Sequence, residues 1–262
     1  RAFPYEVRVF SLVNAPLPFA TILVAGLMIA LSTRGVGRIL LLVAGTMALL
    51  LSLVRSVWLA GLLGVLVYVA SVPLRTTRKV IAPLLVTAAA ILAAPLLAPP
   101  EISQPTMRIV QDRFLTLSSI QSDVSFRDRT SFLSRISNVV LESPAGRGLG
   151  STGVSSTLDE SGEGIRDFDN GVFAALYSLG WMGGAGILLS VLTAIALTFK
   201  RREPGDDLLA KAARGVAVTS IALSLGGNVL EGVSGAVLWG FLGVLTASHR
   251  YHEATRIDGS SW

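Results

Sequence analysis

An all-α fold, a polytopic bundle of membrane helices bearing one large polar loop, follows from three observations. Hydrophobic residues make up 52% of the 262 and charged residues only 15%, where a soluble domain carries roughly a quarter charged. The apolar residues are gathered into runs of membrane length. Lys and Arg stand between these runs and not along one polar face, so the net charge of +5 reads as a topology signal and predicts no nucleic-acid partner. Cysteine is absent, which removes disulfides and thiolate metal sites. The chain opens at Arg1 without a Met or a signal-peptide pattern, which predicts a fragment with further membrane helices upstream.

A crossing helix needs about 20 apolar residues. Four segments approach that length before the polar region: Pro16–Ser32, Val36–Leu53, Ser56–Val72 and Val80–Leu97, the last stopping at Pro99-Pro100. Three follow it: Gly171–Phe199, Gly215–Leu230 and Ser234–Ser248. Together they predict seven spans, with N-terminal membrane helices over 1–98, a loop over 99–170, C-terminal membrane helices over 171–250 and a tail over 251–262. Only Val54-Arg55 separates the second span from the third, and charge placement decides between one long helix and a hairpin. Arg34 and Arg38 flank one side of the pair, and Arg75, Arg78 and Lys79 the other. Cytoplasmic loops collect Lys and Arg, so both clusters belong inside and a hairpin places Arg55 at its outer tip. Lys200, Arg201, Arg202, Lys211 and Arg214 mark another inside loop, and Arg250 and Arg256 an inside tail. The expected location is the plasma (inner) membrane, with membrane lipid as surroundings, the large loop extracytoplasmic and the C-terminus cytoplasmic.

A loop of this length is usually functional or disordered. This one holds two short amphipathic patterns: Met107, Val110, Phe114 and Leu117, then Phe132, Leu133, Ile136 and Val140. Such helices lie on a membrane surface or cap a bundle. The second stops at Ser143-Pro144, ahead of the glycine-rich turn Gly146–Ser151. The loop carries Arg127, Arg129, Arg135 and Arg147. Any one of them alone suits a solvated face paired with Asp123, Asp128 or Glu142. Arg55 is different, because a cation beside membrane helices is costly unless it pairs, snorkels to the interface or serves a function. A guanidinium fork matches phosphate, and several near the outer surface would suit the pyrophosphate of a lipid-linked substrate.

Four local patterns, in order, carry a family resemblance. Ser52-Leu53-Val54-Arg55 at the hairpin tip looks like a Ser-x-x-Arg turn, and Arg129-Thr-Ser-Phe-Leu133 is similar to an Arg-x-x-x-Leu element. Arg135 precedes Gly146 at an arginine-to-glycine spacing, and Asp169-Asn170 precedes Gly180-Trp-Met-Gly183 by nine residues. In this order the chain resembles the O-antigen ligase and polymerase superfamily of bacterial envelope enzymes, whose members are longer at the N-terminus. One departure matters: the ligases carry a histidine where this chain has Asp169, and its two histidines, His249 and His252, lie in the predicted cytoplasmic tail. That shifts the resemblance toward a polymerase of O-antigen, capsule or exopolysaccharide, with a ligase as the alternative.

The resemblance implies transfer of a glycan from an undecaprenyl-pyrophosphate carrier to a sugar hydroxyl, without metal or other cofactor, in company with other polysaccharide-assembly proteins. Arg55 and Arg129 would stabilise the leaving pyrophosphate, with Arg127, Arg135 and Arg147 assisting in binding. Asp169 would accept the proton of the acceptor hydroxyl, and its position before a helical run suits an N-cap equally well. The Asp167-Phe168-Asp169 triplet could suggest a metal-dependent nucleotide-sugar site, but no α/β nucleotide-binding pattern surrounds it. A flippase or transporter of lipid-linked sugar is a second alternative. It would place ionisable groups mid-membrane and show repeated halves, whereas the polar residues here gather on the loop. A scaffold whose loop binds a partner is a third, and would need no clustered arginines. Gly183-Gly184-Ala185-Gly186 and Gly226-Gly227 read as close helix packing, and Glu231 as a solvated residue at the outer surface.

Overall fold

The computed structural model describes residues 15–35, 37–97, 124–152, 168, 170–200 and 207–257. Their regular structure is helical, with no strand among the described residues. In chain order the helices are α1 (Pro16–Ser32), α2 (Gly37–Leu51), α3 (Arg55–Ser71), α4 (Leu74–Leu97), α5 (Val124–Glu142), α6 (Gly171–Lys200), α7 (Leu208–Ser224) and α8 (Gly232–Ile257). Proline at the start of α1 pre-sets the helical φ where no amide donor is needed.

The segments Leu74–Ala93, Gly171–Lys200 and Gly232–Ala254 are long and apolar enough to cross a membrane. The apolar helices α1, α2 and α3 hold 17, 15 and 17 residues, which at about 1.5 Å per residue reach roughly 22–26 Å against about 30 Å of hydrocarbon. Three helices thus meet the length criterion alone where the sequence predicts seven spans. Leu40, Leu41, Leu62, Leu85, Leu92, Met182 and Leu189 point outward from the bundle. Such an apolar exterior suits lipid and not water, and the protein is an integral membrane protein.

The chain reverses between α2 and α3. Ser52 is buried and donates from Oγ to the Leu49 carbonyl at 2.6 Å, Leu53 takes a positive φ of 55°, and Trp58 donates from its indole to the same Leu49 carbonyl at 2.9 Å. The hairpin expected from charge placement is therefore present. Its tip is Ser52–Val54, and Arg55 opens α3.

The tightest crossing joins α3 to α7. Thr219 donates to the Ala60 carbonyl at 3.1 Å, Gly64 faces Gly215, and Arg214 reaches Ser71, so the two helices run antiparallel. A Cβ on Gly64 would stand 2.7 Å from the Gly215 carbonyl oxygen, and one on Gly215 2.8 Å from that of Gly64. Only glycine permits this approach, the usual device of membrane helix pairs. Met28, Val57, Tyr68 and Val216 fill the space beside it.

The sixth predicted span needs correction. Helix α7 begins at Leu208, ahead of the predicted Gly215, and ends at Ser224 instead of Leu230. Lys211 and Arg214, read as inside-loop residues, are buried within it. Arg214 donates from Nε to Thr198 Oγ1 at 3.0 Å, from Nη2 to the Thr198 carbonyl and from Nη1 to Ser71 Oγ at 3.2 Å, and its guanidinium lies 4.9 Å from the centre of the Phe199 ring. A cation satisfied by two helix C-termini can stay in the bundle. Asp207 caps α7 by accepting from the Ala210 amide at 2.9 Å, and its other oxygen accepts from Ser248 at 2.5 Å and pairs with His252 at 3.1 Å. Burial alone would raise the Asp207 pKa, but these hydrogen bonds and the His252 charge hold it below the ordinary carboxylate value.

Candidate functional site

The antiparallel register places the start of α3, the end of α7 and the start of α8 at one end of the bundle. Val229, in the connection between α7 and α8, is fully buried in the same cluster as Val54 and Val57. That connection also receives the start of α6. Asn170 caps α6 by accepting from the amides of Val172 and Phe173 at 2.9 and 3.1 Å, while its Nδ2 donates to the Leu225 carbonyl at 2.9 Å and the Gly171 amide donates to the Gly227 carbonyl at 3.1 Å. Asn228 Nδ2 donates to Glu231 Oε1 at 2.7 Å, and Glu231 is exposed. Arg55, Asn170, Asn228 and Glu231 therefore share one end of the molecule.

Helix α5 lies against the first turns of α6. Ile136 and Val140 bury against Phe168, Ala174 and Tyr177, Phe168 lies tilted against Tyr177 with ring centres 5.1 Å apart, and the Trp181 indole donates to the Val140 carbonyl at 2.7 Å. The apolar stripe read in the sequence as surface-lying or capping is packed onto a membrane helix. Helix α5 ends at Glu142, just before Ser143-Pro144.

The chain after α5 then plugs into a break in α6. Gly180 has φ 72° inside that helix, so Trp181 no longer reaches the Tyr177 carbonyl. The Trp181 amide donates instead to the Pro144 carbonyl at 3.0 Å, and the amides of Arg147 and Gly148 donate to the freed carbonyls of Tyr177 and Ser178, each at 2.9 Å. Gly146 also has a positive φ, 76°. A Cβ on it would stand 2.3 Å from the Gly180 nitrogen, and a Cβ on Gly180 2.4 Å from the Pro144 oxygen. The glycine-rich turn is thus stitched to α6 by backbone hydrogen bonds, and the exposed Arg147 sits 5.5 Å from the centre of the Tyr177 ring.

Of the predicted site residues, Arg55 is half-buried at the first position of α3 and Arg147 stands on the α6 break. Arg127, Arg129 and Arg135 lie on α5, with side chains outside the described residues. Asp169 lies outside them as well, between Phe168 and the capping Asn170. The first amphipathic pattern, Met107 to Leu117, is also outside them. Sequence reading passed over Asn170 as a cap and Asn228 as the holder of Glu231. The second partner of Asn170, the Leu225 carbonyl, lies 55 residues away, and an Asn directly before a helical run was its only local signal. Among the described residues, no group of three or more His, Asp or Glu is placed to hold a metal.

A helical membrane bundle with a loop segment stitched into one of its helices, and an arginine opening the helix after a hairpin, is the class that these features define. The family profile described as O-antigen ligase matches residues 40–188, more than half of the 262, and the chain belongs to that family. The matched stretch runs from α2 into α6 and contains Arg55, α5, Arg147, Asn170 and Gly180. No curated protein matches the sequence. The family is glycosyltransferase-like and implies a lipid-linked glycan as substrate, with activity of the O-antigen ligase or polymerase type.

Proposed function

We propose that this chain is a glycan polymerase. It joins oligosaccharide repeats carried on undecaprenyl pyrophosphate, at the outer face of the plasma membrane, without a metal. The observation that carries this reading is the position of Arg55. As the first residue of α3 it stands at the positive end of the helix dipole, where a cation is locally disfavoured. A phosphate bound there would receive both the guanidinium fork and the helix end. Arg129, with Arg127, Arg135 and Arg147 helping to hold the donor, stabilises the charge that develops on the departing pyrophosphate. Asp169 takes the proton of the attacking sugar hydroxyl. Its ordinary pKa of about 3.9 makes it a weak base, so the role needs either a raised pKa or a dissociative transition state. The family description favours one second reading, a ligase that transfers the finished glycan to a final acceptor.

Alanine at Arg55, Arg129 and Asp169 in the full-length protein, with surface glycan resolved by chain length, tests the proposal. Arg201→Ala, in the loop expected to be cytoplasmic, serves as the control. Collapse of the ladder to single repeats, with the control intact and expression equal, supports polymerisation. Full-length polymer that persists on the lipid carrier but never reaches its final anchor marks a ligase. An untouched ladder overturns the enzymatic reading.

A further inference from the structure

At the end of the bundle opposite Arg55, between the last turn of α1 and the first turns of α2 and α4, lies a pocket of about 510 Å³. Three cations line it, Arg34, Arg38 and Lys79, and no acidic residue does. Arg38 is committed to the protein: its Nη1 donates to the Thr33 carbonyl at 3.3 Å and its Nη2 to the Lys79 carbonyl at 2.8 Å, fastening α1 to α4. Its Nε is buried and has no hydrogen-bond partner among the described residues. Arg34 and Lys79 are exposed, and their head groups make no hydrogen bond or ion pair among the described residues. Three like charges around one pocket repel one another unless an anion joins them.

Apart from Thr33 and Thr76 the remaining wall is apolar, with Ile39, Pro83 and Val86 along the flank, and beyond it lie the lipid-facing Leu40 and Leu85. A free phosphate would leave that flank empty, and a zwitterionic lipid would leave net positive charge. An anionic glycerophospholipid answers both, with its phosphate between Arg34 and Lys79 and an acyl chain along α2 and α4. We propose that this pocket is a binding site for an anionic phospholipid of the leaflet opposite the catalytic end, distinct from the site of the glycan donor.

The test uses the full chain, purified in detergent and offered mixed phosphatidylglycerol and phosphatidylcholine vesicles, with retained lipid read by native mass spectrometry. The double variant Arg34→Gln/Lys79→Gln removes two charges and leaves the Arg38 clamp, which uses the Lys79 backbone. Arg75→Gln/Arg78→Gln removes two charges from the same end of α4 outside the pocket. Cations near an anionic headgroup each contribute severalfold to its binding, so the pocket variant should retain phosphatidylglycerol about tenfold less. The control, whose charges lie outside the pocket, should be clearly less affected. The charge-keeping variant Arg34→Lys/Lys79→Arg should bind normally, which separates lost charge from lost folding. Equal loss in both Gln variants would reduce the effect to bulk charge and overturn the site. Displacement of the lipid by millimolar inorganic phosphate would overturn the lipid in favour of a simple anion site. Equal retention of phosphatidylcholine, or loss of binding in the charge-keeping variant, would overturn it too.

Discussion

Gly146 and Gly180 meet backbone to backbone, each with positive φ, and neither has room for a methyl group. An alanine at either position adds about 1–2 kcal/mol of left-handed strain, before any displacement of the Pro144–Gly148 segment. Gly180→Ala should therefore lower the thermal midpoint in detergent by several degrees and release the Arg147 segment to proteolysis. Gly186→Ala, whose Cβ would meet nothing within 4 Å, should be mild by the same assay. At Arg55, lysine keeps the charge but loses the fork. Loss of one charge-assisted hydrogen bond, about 1.5 kcal/mol, should reduce polymer formation by Arg55→Lys about tenfold, measured as repeat units joined per unit time. Glu231 is the exposed carboxylate on the connection that also holds Asn170. If Asp169 is the base, Asp169→Asn should stop polymerisation while Glu231→Gln only slows it, and the reverse ranking would move the base to Glu231.

Most elements were legible because a run of Leu, Val and Ala announces a membrane helix regardless of what it packs against. The spans matching α1 and α6 agree with the structure at both ends or within one residue. Helix α7 was misplaced because Lys211 and Arg214 look like loop residues to any reading of hydropathy. What lets Arg214 stay inside is Thr198 and Ser71, 16 and 143 residues away in the chain. The break in α6 was equally hidden, since the run around Gly180 is apolar on both sides and its cause is the Pro144–Gly148 segment. For the site, Arg55 was legible from its awkward place at a hairpin tip, whereas Asn228 and Glu231 carry no local pattern. The clasp between α7 and α8 supplies a pH prediction. The Asp207 pKa is depressed in the folded chain, so its contribution to stability is complete above the ordinary carboxylate value of about 3.9. It is lost as pH falls through the lower, folded value. Acid should therefore lower the thermal midpoint of the wild type below about pH 4, and Asp207→Asn should lower the neutral-pH midpoint and flatten that acid limb.

At the scale of the molecule, the bundle has two chemically different ends. One gathers Arg55, Asn170 and the Gly226–Glu231 connection; the other gathers Arg34, Arg38, Lys79, Lys211, Arg214 and the Asp207 clasp. The absence of cysteine makes the orientation directly measurable. A single cysteine at Ser151 or Glu231 should react with an impermeant maleimide on intact cells, and one at Thr77 or Arg250 only after permeabilisation. The opposite labelling pattern would invert the topology and remove the proposed reaction from the outer face.

The break at Gly180 also sets a height. From Trp181 to Lys200 the helix keeps twenty residues, about 30 Å at 1.5 Å per residue, which is the depth of a hydrocarbon layer. The segment bearing Arg147 is pinned at the top of that column, so the arginine works like a float at a fixed waterline. A carrier lipid anchored in the same bilayer holds its pyrophosphate near one level too. If Arg147 helps to hold the donor, as proposed, the two need only drift sideways to meet, with no vertical search. One residue inserted between Trp181 and Lys200 would lift the guanidinium by about 1.5 Å and swing it about 100° around the helix axis.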